Sequence, residues 1–325
     1  MASVQPDSAA RRSGPARLLL RLLMVLLMAA YALLFGEWFL RLLDPQPLVP
    51  RYVTGGADGI RANMPDIAFR QWTPEVDVVI RYNHAGMRDD RPPPPPAAKA
   101  PGECRVALLG DSYFVGFESD WAPSFAHQLE VALARRGYRC RVIDLAVSGF
   151  GHAEMLVALH TRVRQWQPDA VIFSVHQTDG LDNLRSGLFR VVDGRLQPTG
   201  NSFLPGVAMS DRLNRFAAYR WLQENSHLYS AAREWLGRTG KQLLASFRKS
   251  RDTDDAGEDG ALPVKGFVGD RALNRALVEA AVADTRRMGA TPLLFDIPTS
   301  GGRLRYVSVA EDLLGADLVR TLPFA

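Results

Sequence analysis

From residue 105 onward the chain alternates short apolar runs with amphipathic stretches, and this alternation restricts the available folds more than any other feature. Arg105–Leu109 is apolar after its first residue and ends in a turn at Gly110. Ala122–Arg136 then carries Phe125, Leu129 and Leu133 at helical spacing and stops at Gly137. The pattern predicts a strand and then a helix, because a run this short cannot make a stable helix while the 3.6-residue period presents one apolar face. Arg141–Leu145 with His152–Gln165 repeats the unit; Asp169–Val175 predicts a third strand, Leu273–Met288 a helix and Thr291–Phe295 a fourth strand. Strands alternating with helices pair in parallel, so the expected fold class is α/β, with a central parallel sheet between helical layers.

The N-terminus adds a second constraint. Residues 18–43 read LLLRLLMVLLMAAYALLFGEWFLRLL. The uncharged core from Leu22 to Gly36 is short for a bilayer unless Arg21, Glu37 and Arg41 snorkel to the interfaces. Arg11, Arg12, Arg17 and Arg21 precede it, which keeps the N-terminus cytoplasmic and sends the body across the membrane. A cleaved signal peptide is the rival, since Ala30-Tyr31-Ala32 is an A-x-A site. The apolar helical pattern runs on through Leu33, Leu34, Phe35, Trp38, Phe39 and Leu42, which favours an uncleaved anchor. The expectation is a single-pass protein of the inner membrane, with a cytoplasmic tail (1–17), an anchor (18–43), a juxtamembrane exoplasmic segment (44–102) ending in a stiff proline-rich linker at Pro92–Pro96, and a periplasmic domain (103–325).

With 325 residues, 47% apolar and 23% charged, the chain can bury a proper core, and disordered and fibrous classes are excluded. The net charge of +4 comes from scattered arginines, lysine occurring only at 99, 241, 249 and 265, so no nucleic-acid partner is expected. Two cysteines, Cys104 and Cys140, make neither a disulfide framework nor a zinc site. No cofactor and no metal is expected. Between the third and fourth strands lies an insertion, at about 186–265, far longer than a normal βα loop. Within it Asp211 is placed to cap a helix carrying Leu213, Phe216, Ala217 and Trp221, and Leu228–Phe247 predicts a second helix. Arg251–Gly260, with five acidic residues, reads as a solvated loop rather than a metal site.

In open α/β sheets the functional groups sit at the C-terminal ends of the strands. Three loops stand there: Gly110-Asp111-Ser112 with Gly116 beyond it, Ser148-Gly149-Phe150-Gly151, and Gln177-Thr178-Asp179-Gly180-Leu181-Asp182-Asn183. A serine on the turn leaving a central strand presents its hydroxyl to the crevice, with its own N–H aimed where an oxyanion forms, which makes Ser112 the candidate nucleophile. Asp111, adjacent to it, is expected to cap the turn.

The stretches LLGDSYFVGFESD, VIDLAVSGFGH and VIFSVHQTDGLDN resemble the first three blocks of the SGNH/GDSL hydrolase superfamily, in the branch with an N-terminal membrane anchor. Asn83-x-x-Gly86-x-Arg88 and Glu37-x-x-x-Arg41 resemble that branch too. The resemblance implies a flavodoxin-like three-layer sandwich and a serine esterase or O-acyltransferase. Its substrate would be an acylated small molecule or an extracellular glycan bearing acyl groups such as acetyl. A membrane acyl-transfer partner is also implied. Gly149 N–H would be a second oxyanion donor. The family's third donor is an asparagine where this chain has Thr178, so Thr178 or neighbouring Gln177 must substitute, with one hydroxyl proton in place of an amide's two. The family's base comes from an Asp-x-x-His block that does not occur in these residues. Val307–Leu314 reads as a short helix and Ala316–Leu322 as a fifth strand; either the chain continues past Ala325, with the block and a closing helix expected within about forty residues, the length of one loop and one helix, or this is a divergent, non-catalytic member. His176 or His152 could approach Ser112 instead, or serve only as structural loop residues. A catalytically silent domain binding a glycan or membrane partner is the alternative reading. In this fold Cys104 and Cys140 begin neighbouring strands, either bonded or simply two small buried residues.

Overall fold

The computed structural model describes residues 14–96, 99–249, 269–297, 299–300 and 306–314. The chain opens with helix α1 (Gly14–Leu43), which at 1.5 Å per residue is about 45 Å long. It runs unbroken through Ala30-Tyr31-Ala32, and its leucines stay exposed. The short strands β1 (Val53–Gly55) and β2 (Arg61–Asn63) pair antiparallel, as do β3 (Ile67–Trp72) and β4 (Asp77–Tyr82). Then come β5 (Cys104–Leu109), α2 (Ser112–Val115), α3 (Phe125–Arg135), β6 (Cys140–Asp144), α4 (His152–Ala158) and β7 (Ala170–Val175). Helix α5 (Asp179–Ser186) follows β7, and the insertion beyond it holds the hairpin β8 (Phe189–Val192) and β9 (Arg195–Pro198), α6 (Val207–Leu213), α7 (Ala217–Asn225) and α8 (His227–Lys249). Helix α9 (Arg271–Arg287), β10 (Thr291–Asp296), the two-residue strands β11 (Thr299–Ser300) and β12 (Tyr306–Val307), and α10 (Val309–Leu314) follow. The expected fifth strand, Ala316–Leu322, and the acidic run Arg251–Gly260 lie outside the described residues.

The protein is α/β. Its central sheet has the order β10-β7-β5-β6 with every pair parallel, the second-first-third-fourth order of flavodoxin-like folds. Strand β5 is central, and its side chains alternate between the two faces. Ala107 and Leu109 pack with Ile143, Phe173, Met155 and Leu156 of α4, and Leu277 of α9. Val106 and Leu108 pack on the other face with Phe114 of α2, Ala126 of α3, and Phe69, Ile80 and Tyr82 of the β3–β4 hairpin. Residues before the domain therefore complete one layer. Burial of three side chains of that size is worth on the order of 5 kcal/mol, enough to hold the hairpin to the sheet. The Pro92–Pro96 run is no free spacer: Pro94 is buried and the Pro92 carbonyl accepts from Arg141 at 2.8 Å.

Cys104 faces Cys140 across the β5–β6 register, and the two form a disulfide. Two expectations are corrected. Asp211 caps nothing: α6 begins earlier, after Gly206 in the left-handed region (φ 67°), and the Asp211 carboxylate inside that helix pairs with Arg51. The helix expected over His152–Gln165 is regular only to Ala158, passing through a π turn at Leu159–Val163 into a 3₁₀ turn at Arg164–Trp166. Glu37 and Arg41, at the C-terminal end of α1, meet the insertion. The Glu37 carboxylate accepts from Ser226 Oγ (2.7 Å) and from the backbone N–H groups of His227 and Leu228 (3.0 and 2.9 Å), capping α8. Arg41 bonds Glu37 and the Asn225 carbonyl.

Candidate active site at the ends of three parallel strands

Strand β5 delivers the chain to Gly110, whose missing side chain makes the turn possible: a Cβ there would stand 2.6 Å from the Phe114 ring and 2.7 Å from Ser174 Oγ. Asp111 follows as the N-cap of α2, its buried carboxylate accepting from Tyr113 N–H at 3.0 Å. Ser112 is the first residue of that one-turn helix and is half-buried. The far end of the turn is held by a residue between β4 and β5. Arg88, 2% exposed, donates to the Gly116 carbonyl at 2.6 Å and also to the carbonyls of Val115 and Ser119. A cation thus satisfies the C-terminal carbonyls of the Ser112 helix, where the helix dipole favours positive charge.

The loop after β6 leaves the sheet beside this turn, since Val147 N–H donates to the Gly110 carbonyl at 3.0 Å. Gly149 takes φ 74°, a conformation that favours glycine. The carbonyls of Ser148 and Gly149 both accept from Arg61, at 2.9 and 2.6 Å, and the same guanidinium pairs with the fully buried Glu154 at 2.7 Å. With its carbonyls turned to Arg61, the loop keeps its amide free: neither Gly149 N–H nor Ser112 N–H donates to another described residue. Two unspent backbone donors therefore stand on adjacent loops around the Ser112 turn.

The third loop, after β7, differs from expectation. Thr178 does not direct its hydroxyl to an oxyanion; Oγ1 lies 2.9 Å from His176 Nδ1. His176 Nε2 lies 3.4 Å from the Tyr113 hydroxyl, with the rings 4.9 Å apart, so the imidazole touches the residue after Ser112. Burial lowers its pKa. Among the described residues no hydrogen bond joins Ser112 to a base. Gln177 is half-buried beside them. His152 is not at the site: it is buried, bonded to Asn274 Oδ1 at 3.0 Å and 3.5 Å from Asp179, and burial pulls its pKa down to about 4. Sequence reasoning missed this interior network. Asn183 accepts from Ala153 N–H at 2.8 Å and meets Asn274, tying the second and third loops together. Asp179 accepts from His176 N–H at 2.8 Å, and burial, reinforced by Asp111, Asp182 and Glu154, raises its carboxyl far above the usual range. The motif Asp179-Gly180-Leu181-Asp182-Asn183 contained these residues, but their partners come from distant segments.

No protein-family model matches the sequence, and no curated protein matches it. Among solved structures the chain is similar to TesA, at 14% identity over 60% of this chain and 61% of that one, with a TM-score of 0.32. It therefore spans about three fifths of TesA. It is also similar to the psychrotrophic esterase EstA from Pseudoalteromonas sp. (13% identity, 59% and 76% covered, TM-score 0.25). A third is AlinE4, an SGNH-hydrolase family esterase (22% identity, 57% and 95% covered, TM-score 0.22). At these scores the likeness assigns no function and no site residue.

The buried carboxyls under the site make stability pH-dependent. Burial raises Asp111 to about 6 and Asp144 to about 7, against 3.8 in an unfolded chain. A carboxyl raised on folding stabilises the fold while protonated in both states, and that contribution is lost as pH climbs from the unfolded value through the folded one. Asp144→Asn keeps an acceptor for Ala146 N–H, which Asp144 holds at 3.0 Å. The variant should match the wild type in unfolding free energy, read from urea titrations, near pH 4 and exceed it by about 2–4 kcal/mol at pH 8, at 1.36 kcal/mol per pKa unit. Parallel pH curves for the two proteins would contradict a raised Asp144.

Proposed function

We propose that this protein is a membrane-tethered serine esterase or O-acyltransferase of the SGNH type, acting on acyl esters at the exoplasmic face of the inner membrane. The observation that carries the proposal is Ser112 on the first turn after the central strand, with its own N–H and that of Gly149 unspent on adjacent loops. In this mechanism Ser112 Oγ attacks the ester carbonyl and its proton passes to His176, the neutral imidazole of the neighbouring loop. The carbonyl oxygen becomes an oxyanion held by the two amides. The C–O bond to the alcohol breaks as that alcohol takes the proton back, leaving an acyl-serine. Water, or a glycan hydroxyl, then attacks the acyl-serine, releasing acid or the acylated sugar. A membrane acyl-transfer partner supplies the acyl group in the transferase form. Helix α1 is long and apolar enough to cross a bilayer and serves as the tether. The test is a fluorophosphonate probe on the full chain in detergent, with intact-mass readout. One adduct is expected on the wild type and none on Ser112→Ala; equal labelling of both would remove Ser112 from the mechanism. Topology has its own test: a periplasm-dependent reporter fused after Pro101 should be active, and one fused after Ala10 silent.

One observation favours a second reading, a silent domain that binds a glycan or membrane partner in the same crevice. The ring nitrogens of His176 face Thr178 and Tyr113 rather than Ser112. No probe adduct on a folded wild type would select it.

A further inference from the structure

Away from the three strand ends, a cavity of about 280 Å³ lies between the juxtamembrane segment and the insertion helices α6, α7 and α8. Arg51, Arg61 and Arg233 line it, together with the polar residues Ser210, Tyr219 and Gln223. We propose that this cavity is a binding site for a phosphate group, free or carried on a lipid headgroup.

Charge and unmet hydrogen-bonding capacity both point to an anion. Arg51 has a side chain only 9% exposed, donates through Nε to the Val53 carbonyl at 2.8 Å and pairs with Asp211. Its Nη1 is buried without a partner among the described residues, as is Nε of Arg61. A buried N–H of this kind calls for an acceptor, and a guanidinium fork matches phosphate oxygens closely. Asp211 and Glu154 balance Arg51 and Arg61, while Arg233 spends itself on the Val49 carbonyl at 3.3 Å and the face of Tyr229. One positive charge is therefore left over in the wall.

The cavity also abuts the candidate active site from behind. Arg61, a wall residue, carries the Ser148 and Gly149 carbonyls on two of its nitrogens. The lipid source is geometrically close, since Val49 follows the end of α1 by six residues and α8, which bears Arg233, is capped by Glu37 of that helix. This proposal does not depend on the esterase reading, and its test uses no turnover.

The full chain in a non-ionic detergent is titrated with inorganic phosphate, and separately with dihexanoyl phosphatidic acid below its micelle concentration. Ionic strength is held constant with chloride, and the thermal midpoint is read. A saturable rise of several degrees with phosphate supports a free-phosphate site; a rise with the short lipid alone supports a headgroup site. In either case Arg233→Gln, at an exposed residue, should weaken the apparent Kd at least tenfold, and Arg51→Gln should abolish the response if that variant folds. No saturable rise with either probe, or the same Kd in Arg233→Gln as in the wild type, overturns the proposal.

Discussion

Alanine at Ser112 is expected to lower the rate of hydrolysis of a short-chain aryl ester by at least about a thousandfold, with the far-ultraviolet circular dichroism and thermal midpoint unchanged. The magnitude follows from losing the attacking atom altogether, which leaves only the two amides and binding to act on the ester. The fold should tolerate the change, because the turn is held by residues other than Ser112. Asp111 caps its start through Tyr113 N–H, and Arg88 caps its end through the Val115 and Gly116 carbonyls. A variant that unfolds, or one that keeps more than a tenth of the rate, would count against Ser112 as the nucleophile. His176→Ala separates the two functional readings further. If His176 takes the proton, its loss should cost roughly a hundredfold or more and erase the acid limb of the pH–rate profile.

Arg88→Met should be the most damaging single change to stability, at about 3–5 kcal/mol. The guanidinium is buried and donates to three carbonyls, and its charge also lies near the buried Asp144. Methionine fills much of the volume and satisfies none of those acceptors; each buried carbonyl left alone costs about 1–3 kcal/mol. For a domain of this size the thermal midpoint should fall by roughly 10 °C or more. Arg88→Lys should recover part of the loss, since one ammonium keeps the charge but cannot span three carbonyls as a planar fork does. Ester hydrolysis in Arg88→Lys should fall further than its stability, because Ser112 sits on the turn whose far end Arg88 fixes. A methionine variant within 1 kcal/mol of the wild type would show that water serves those carbonyls instead.

The strands of the central sheet were legible because a buried parallel strand is a short apolar run, and the helices between them carry one apolar face. Cys104–Leu109, Cys140–Asp144, Ala170–Val175 and Thr291–Asp296 all fall within one residue of the runs that predicted them. The loops that carry Ser112 and Gly149 were legible for a related reason: they leave the C-terminal ends of such strands, which meet at one edge, and small or φ-positive residues there mark tight turns. The hairpin at Phe189–Pro198 was missed although its signal was present. Asp193-Gly194 is a two-residue turn with φ 50° and 71°, the left-handed pair that such hairpins require.

What the sequence by itself determined was the class of fold, the apolar N-terminal helix and the turn that presents Ser112, because each depends on residues near one another in the chain. Only the tertiary structure decided what surrounds that turn. Arg88 and Arg61 come from the segment before β5, Asn274 from the helix after the insertion, and Glu37 from the apolar N-terminal helix, each separated from its partner by dozens of residues or more. Arginine and asparagine satisfy backbone groups wherever the chain brings them, so their spacing in sequence holds no trace of the partner. The case of Thr178 is local by contrast: its Oγ1 lies 2.9 Å from Nδ1 of His176, two residues earlier in the same loop, a contact set by that loop's backbone conformation and not by the residue types alone.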